Sequence, residues 1–342
     1  MSRVLTTLPT IVALPLSRSE VPGGQQKDNL RIAFESLVGL LGAIVVGDLL
    51  DEVARIEASD EPADEETAFL ERFQGDAGDE LLAALRSIGL EQMSLGKWVN
   101  LLRTMVAFTE ELGRKPELAE ALAVYPACKK EVDELVRLRN EDAHGPATPP
   151  DQLPEVIAAR RKMLDKILSA CGFLADWRLL HLEGFEIEGD RQVFQGLEFR
   201  GVEPISCRLD GEGRNFPLTQ PLLIHKSGRW VDVSPLAVIA PMTGGGGLHT
   251  AIFSKEIKGD RNRLSFVGAE AGSTVELEDW TARHGDVLAF RRRVLRRLFR
   301  APSMQSVSID AEMKLESPGL KVGDDGVGLT ISVVNRKDSA EL

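Results

Sequence analysis

The segment 28–56, DNLRIAFESLVGLLGAIVVGDLLDEVARI, constrains the fold more than any other part of the chain. Its apolar residues recur at helical spacing, and its middle is apolar on nearly every side. The most apolar part, Leu37 to Val46, has about half the length that a bilayer crossing needs and is followed by Asp48. The segment therefore predicts a long helix that is buried in a protein core and does not span a membrane.

Helical patterns continue from this segment to about residue 175, with short connections between them. They fall at roughly 65–88, 94–112, 116–144 and from TPPDQLP through Cys171. This succession predicts an all-α helical bundle over residues 28–175. The preceding residues 1–27, which contain Pro and Gly and end in VPGGQQ, are predicted to be a flexible lead-in.

After Trp177 the pattern changes to short alternating runs separated by turn residues, as in RQVFQGLEFRGV and QPLLIHKSGRWVDVSPLAVIAP. Residues 176–342 are therefore predicted to form a small antiparallel β-rich domain. This domain includes an arginine-rich helix at 281–300 and ends in a polar tail. The predicted fold class is α+β, with a helical bundle first and strands after it.

Charge and cysteine content exclude several kinds of protein. The 342-residue chain has a net charge of −12, so any nucleic-acid contact must use a local basic patch. Its three cysteines are widely spaced and show no metal-ligand pattern, so no disulfide framework, metal site or other cofactor is predicted. With no signal-peptide pattern at the N-terminus, a cytoplasmic location is expected.

The stretch LVRLRNEDAHGP, residues 135–146, contains the main candidate site. Asn140 and His144 are four residues apart and share one face of the predicted helix, and the long side chain of Arg139 can reach the same region. Gly145 and Pro146 are expected to end the helix directly after His144, which leaves the imidazole at the rim of the bundle. A histidine in the last turn of a helix also interacts favourably with the helix dipole, so a purely structural role is an alternative.

The motif LRNEDAHG resembles the Arg-polar-x-x-x-His signature of HEPN domains, which lies near the end of a late helix in a small helical bundle. Arg139, Asn140 and His144 occupy the three motif positions, and the likeness covers about residues 28–175. The order of a bundle followed by a strand-rich region also resembles a group of bacterial proteins. Many HEPN domains are metal-independent endoribonucleases that act as homodimers. The resemblance therefore implies RNA cleavage by a dimer, as a toxin or an antiviral defence effector.

The residue types of the motif suit this chemistry. When the ribose 2′-oxygen attacks the adjacent phosphorus, a base must take its proton, and imidazole exchanges protons near neutral pH. Arg139 stays cationic and can bind phosphate oxygens as their charge increases, while Asn140 would orient His144 or the substrate. Glu141 and Asp142 lie inside the motif and would repel phosphate unless they pair with Arg137 or Arg139.

The resemblance also implies an alternative, because some HEPN domains are non-catalytic dimerisation or ligand-binding modules. In that case the β-rich domain would recognise a protein partner or a ligand. His144 would be occluded, or Arg139 would be bound by Glu141, Asp142 or the acidic 57–66 loop.

The helix at 281–300 is the one strongly basic segment and the best candidate for binding the RNA backbone. Arg292, Arg293, Arg296 and Arg297 are predicted to supply affinity for phosphate rather than chemistry. The alternative is a surface helix that packs on the β-rich domain, with its arginines facing the acidic bundle.

Overall fold

The structure is a computed structural model, and most of the chain up to residue 278 is described below. The described residues are 5–23, 25–57, 59–87, 92–111, 119–211, 216, 218, 221–234, 236–241, 247–257, 260–269 and 274–278. The arginine-rich segment 281–300, including Arg292, Arg293, Arg296 and Arg297, and the polar tail lie outside these residues.

The described residues form α-helices in the first half of the chain and strands in the second half. The helices are α1 Thr10–Arg18, α2 Gln26–Glu57, α3 Asp64–Gln74, α4 Asp76–Ser87, α5 Leu95–Glu111, α6 Ala119–His144 and α7 Leu153–Ala170. A short 3-10 helix, Gly172–Asp176, leads into the strands. The predicted α+β class, with helices before strands, is confirmed.

Nine strands follow in two antiparallel sheets. They are β1 Trp177–Glu188, β2 Arg191–Glu198, β3 Ile205–Asp210, β4 Pro221–His225, β5 Trp230–Asp232, β6 Ala237–Pro241, β7 Leu248–Ile257, β8 Asp260–Gly268 and β9 Thr274–Glu278 among the described residues. The first sheet has the order β3-β2-β1-β4-β5, and the second has the order β6-β7-β8-β9. All neighbouring strands in both sheets are antiparallel, as the alternating sequence pattern predicts.

Two local differences from the sequence prediction have clear physical causes. Within the predicted lead-in, residues Thr10–Arg18 form a helix that buries Ile11, Val12 and Leu16, because its apolar face packs on α2. The helical pattern at 65–88 is divided into α3 and α4, since Gly75 adopts an extended conformation that ends α3.

Helix α2 lies at the centre of the core. Every residue from Ser36 to Leu50 is buried, and α2 contacts α1, α3, α5, α6, α7 and strands β5, β6 and β7. By length and composition it is also the one helix among the described residues that could cross a bilayer, but 94% of its most apolar window is buried inside the protein. The predicted role of this segment as a buried core helix is confirmed.

Glycines permit α2 to approach its neighbours closely. A Cβ atom on Gly42 would lie 2.7 Å from the Trp98 ring of α5, and one on Gly47 would lie 2.4 Å from the backbone oxygen of Asp232 in β5. Real Cβ atoms do not come this close to other heavy atoms. The glycine spacing of α2 therefore sets how closely the helix and the sheet pack.

Polar contacts near the C-terminal end of α2 join it to the first sheet. The Asp51 carboxylate accepts a hydrogen bond from the backbone N–H of Asp232 at 2.9 Å. Asp48, which is fully buried, forms an ion pair with Arg229, whose guanidinium lies 5.9 Å from the centre of the Trp177 ring. These contacts fix the register between the helix and strand β5.

The first sheet buries apolar side chains on both faces. One face, with Leu179, Leu223 and Val231, joins the hydrophobic core of the helices. The opposite face forms a separate cluster that includes Leu182 and Phe194. The main core is therefore continuous from the helices into the sheet.

We expect Gly47→Ala to destabilise the protein, because the added methyl group would collide with the backbone of β5. Overpacking of this kind costs roughly 1–3 kcal/mol. Urea unfolding should show a lower midpoint. Gly96→Ala in α5 is the matched control, since a Cβ at Gly96 has no atom within 4 Å. The control should be neutral or stabilising by up to about 1 kcal/mol through helix propensity, and equal midpoints for both variants would contradict the packing argument.

His181 in β1 should make stability depend on pH. Burial lowers the pKa of His181 below its ordinary value, while Glu183 acts in the opposite direction. The unfolded chain then binds a proton more readily than the folded chain, so the free energy of unfolding should decrease as the pH falls below about 6.5.

Chemical denaturation at pH 7.5 and pH 5.5 measures this effect. His181→Leu should lose less stability between the two pH values than the wild type. His249→Gln, at a less buried position in β7, serves as the control and should retain the wild-type dependence. An unchanged pH dependence in His181→Leu would show that other groups cause it.

Candidate functional site

Helix α6 carries the motif and ends where the sequence predicts. Pro126 lies inside it, and the backbone leaves helical geometry at Cys128, where φ is −121° and ψ is 18°. Since proline lacks an N–H, it removes one helical hydrogen bond, and a kink at this point is the expected result. The helix ends at His144, and the N–H of Gly145 donates to the carbonyl oxygen of Glu141 at 2.6 Å.

The Arg139 side chain is held by a carboxylate on α2. Its Nε donates to Oε1 of Glu35 at 3.3 Å, and its Nη1 donates to Oδ1 of Asn140 at 3.4 Å. Arg31 also donates to Glu35, with Nη1 3.3 Å from Oε1 and 3.2 Å from Oε2. One carboxylate therefore binds two guanidinium groups, which we call the Arg31–Glu35–Arg139 cluster.

A second ion-pair cluster fixes the last turn of α6. Asp142 accepts hydrogen bonds from Lys27 Nζ at 2.9 Å and from Arg160 Nη2 at 2.9 Å. The Arg160 side chain is only 7% exposed. Since a buried charge without a counter-ion is costly, the Asp142 carboxylate is needed to stabilise the Arg160 guanidinium. Although burial alone would raise it, the hydrogen bonds from Arg160 and Lys27 hold the pKa of Asp142 below its ordinary value. The carboxylate thus links α6 to α2 and α7.

His144 and Asn140 are exposed at the end of the helix. Within the part of the chain that the structure describes, His144 forms no hydrogen bond or ion pair. Arg139 is about one-third exposed, and it pairs with Glu35 rather than with Glu141, Asp142 or the 57–66 loop. The three motif side chains therefore occupy the last turns of α6, and their polar groups are accessible.

The acidic residues of the motif are both paired. Glu141 forms an ion pair with Arg137, which also binds Glu134. Asp142 pairs with Arg160 and Lys27, as described above. Unpaired, these carboxylates would repel phosphate, and Arg137 is one of the two partners predicted from the sequence.

A cleft adjoins the motif between α2, α6 and α7. It is open to solvent, and its cavity volume is only about 20 Å³. Its walls combine apolar side chains with three arginines, namely Leu30, Phe34, Leu135, Leu138 and Leu164 with Arg31, Arg139 and Arg160. The cleft is therefore too small to enclose a ligand, but its lining presents both apolar and cationic side chains.

Other reactive side chains lie away from this end of the bundle. Cys128, Cys171 and Cys207 are buried and unpaired, and burial raises the pKa of the Cys171 thiol to about 12. Thiols of this kind are poor nucleophiles. Across the described residues, no group of three or more His, Cys, Asp or Glu side chains is arranged to hold a metal ion.

Sequence reasoning missed the residues of the two clusters outside α6. Arg31, Glu35 and Arg160 have no spacing signal that relates them to the motif, because Glu35 precedes Arg139 by 104 positions. The one available clue was the i,i+4 spacing of Arg31 and Glu35 on the segment predicted to be a buried helix.

No known family model, curated protein or solved structure matches this chain.

We expect Asp142→Ala to destabilise the protein strongly, because it leaves the Arg160 charge buried without its partner. Breaking a buried pair in this way costs about 3–5 kcal/mol. Thermal unfolding measures the loss. Glu141→Ala, next along the helix, removes an exposed ion pair and should have little effect. If both variants unfolded at the same temperature, Asp142 would not anchor the motif.

Proposed function

We propose that the C-terminal end of α6 is the active site of a metal-independent endoribonuclease that acts as a homodimer. The observation that carries this proposal is the position of Arg139, whose guanidinium is held by Glu35 yet partly exposed, on the same helix end as the exposed His144. This arrangement agrees with the role that the resemblance to HEPN domains implies for Arg139, Asn140 and His144. The same resemblance suggests a toxin or antiviral effector as the cellular role.

The reaction needs no group beyond these side chains and the RNA itself. A base removes the proton of the ribose 2′-hydroxyl, the 2′-oxygen forms a bond to phosphorus, and the bond from phosphorus to the 5′-oxygen breaks. The leaving oxygen takes a proton from an acid, which gives a 2′,3′-cyclic phosphate and a 5′-hydroxyl. His144 supplies the proton transfers, and Arg139 stabilises the charge on the phosphate oxygens.

A dimer explains how one histidine per chain can serve both steps. Cleavage of this kind uses a base on one side of the phosphorus and an acid on the other. Two copies with their α6 ends facing each other would place one His144 on each side of the phosphodiester. The exposure of His144 and Asn140 suits this arrangement.

Ion pairs at the site reduce the repulsion between a phosphate and the carboxylates of the motif. Within the motif, Asp142 pairs with both Arg160 and Lys27, while Glu141 shares Arg137 with Glu134. Arg31 and Arg139 share Glu35, and Arg31 also lies 3.7 Å from Asp28, so two carboxylates balance the two guanidinium charges.

The second candidate function is a non-catalytic dimerisation module with a β-rich domain that binds a protein partner or a ligand. The observation that favours it is the ion pair between Arg139 and Glu35, because a motif arginine that already has a carboxylate partner can serve structure alone. Under this proposal the protein dimerises but does not cut RNA.

We expect the purified protein to cleave single-stranded RNA in the presence of EDTA, and both His144→Ala and Arg139→Ala to reduce the rate at least a hundredfold. Gel analysis of a labelled RNA measures the rate. Arg191→Ala is the control, because it removes an exposed arginine from strand β2 without touching helix α6 or the Arg31–Glu35–Arg139 cluster, and it should cut at nearly the wild-type rate.

Two outcomes would reject the nuclease. One is equal cleavage by the wild type and all three variants, which would indicate a contaminant. The other is a dimeric wild type that cuts no RNA, which would favour the non-catalytic module.

A further inference from the structure

We infer that Arg31 is a second phosphate-binding residue of this site and that Glu35 is the positioning residue that orients it together with Arg139. This inference rests on the proposed function, since it assigns the RNA backbone as the ligand. The motif on α6 contains neither residue, because both come from α2.

The geometry places two guanidinium groups on one carboxylate. Nη1 of Arg31 and Nε of Arg139 each lie 3.3 Å from Oε1 of Glu35. The two arginines, from different helices, are therefore close neighbours that would repel each other without Glu35. A carboxylate between them fixes both cations at the mouth of the cleft.

Each guanidinium keeps donors for a ligand. Arg31 uses Nη1 for Glu35, and its Nε lies 3.7 Å from Asp28, while Arg139 uses Nε and Nη1. Among the described residues, neither Nη2 group has a hydrogen-bond partner. Both side chains are about one-third exposed, so a phosphate can reach them from solvent.

The other cations near the motif are not available in this way. Both Nη groups of Arg160 donate to Asp142, and its side chain is buried. Lys27 donates to Asp142 and to the hydroxyl of Thr148. Arg31 is therefore the cation best placed to join Arg139 on a phosphodiester, which a guanidinium can bind through two parallel hydrogen bonds.

The two residues should affect different kinetic constants. Loss of Arg31 removes a phosphate contact, so it should raise KM with little change in kcat. Loss of the Glu35 charge leaves both arginines present but no longer oriented. Glu35→Gln should therefore lower kcat while RNA binding stays the same or becomes tighter.

The test measures binding of a 2′-O-methyl oligonucleotide, which cannot be cleaved because it lacks the nucleophilic hydroxyl. At several salt concentrations, Arg31→Gln should bind about tenfold more weakly than wild type. Its plot of log K against log salt should be less steep by about 0.7. Arg191→Gln, at an exposed position in strand β2, is the charge-matched control and should retain wild-type affinity and slope. Arg31→Lys keeps the positive charge but lacks the planar guanidinium that can form two parallel hydrogen bonds. Its affinity should therefore lie between those of the wild type and Arg31→Gln.

The outcomes separate this inference from the proposed function. If His144→Ala abolishes cleavage but Arg31→Gln and Arg31→Lys bind like Arg191→Gln, the nuclease stands and the assignment of Arg31 is wrong. If the wild type cuts no RNA but its oligonucleotide binding depends on Arg31, the phosphate site stands and the nuclease fails. A wild type that does not bind the oligonucleotide overturns the inference.

Discussion

The enclosure of α2 is the constraint on which the rest of the structure depends. A helix that is buried on all sides over four turns needs neighbours in every direction, and here other helices and both sheets provide them. Glycines at its closest contacts remove side chains that would hold these neighbours apart. Helices and strands consequently share one hydrophobic core, and a change in α2 affects both.

The two ends of α2 contact different parts of the protein, because they carry different polar residues. Near its C-terminal end, Asp51 binds strand β5, and Asp48 pairs with Arg229 directly before that strand. In its first turns, Lys27 and Glu35 pair with Asp142 and Arg139 in the last turns of α6, and Arg31 pairs with Glu35. The orientation of Arg139 therefore depends on a residue outside the motif, and α2 connects the candidate site to the hydrophobic core.

Sequence patterns predicted the fold class and most helices, because the spacing of apolar residues indicates which face of each helix or strand is buried. The end of α6 at His144 was predictable for a local reason, since Gly145 and Pro146 follow it. The helix at Thr10–Arg18 was missed because prolines obscured a short apolar segment whose helical form depends on packing against α2.

The candidate site was predictable only in part. A linear motif gives the residues of one helix, so Arg139, Asn140 and His144 could be named. Glu35, Arg31 and Arg160 come from other helices, and only tertiary packing brings them to the motif. The same limit applies to the ion pairs of Asp142, since its partners Lys27 and Arg160 lie on two different helices.

The chemical identity of the RNA ends tests the central claim most directly. Mass spectrometry of a defined oligoribonucleotide cut in EDTA would identify both new ends. Attack by the 2′-oxygen predicts a 2′,3′-cyclic phosphate on one fragment and a 5′-hydroxyl on the other. A 3′-hydroxyl with a 5′-phosphate would contradict the account, because those ends require attack by water rather than by the ribose.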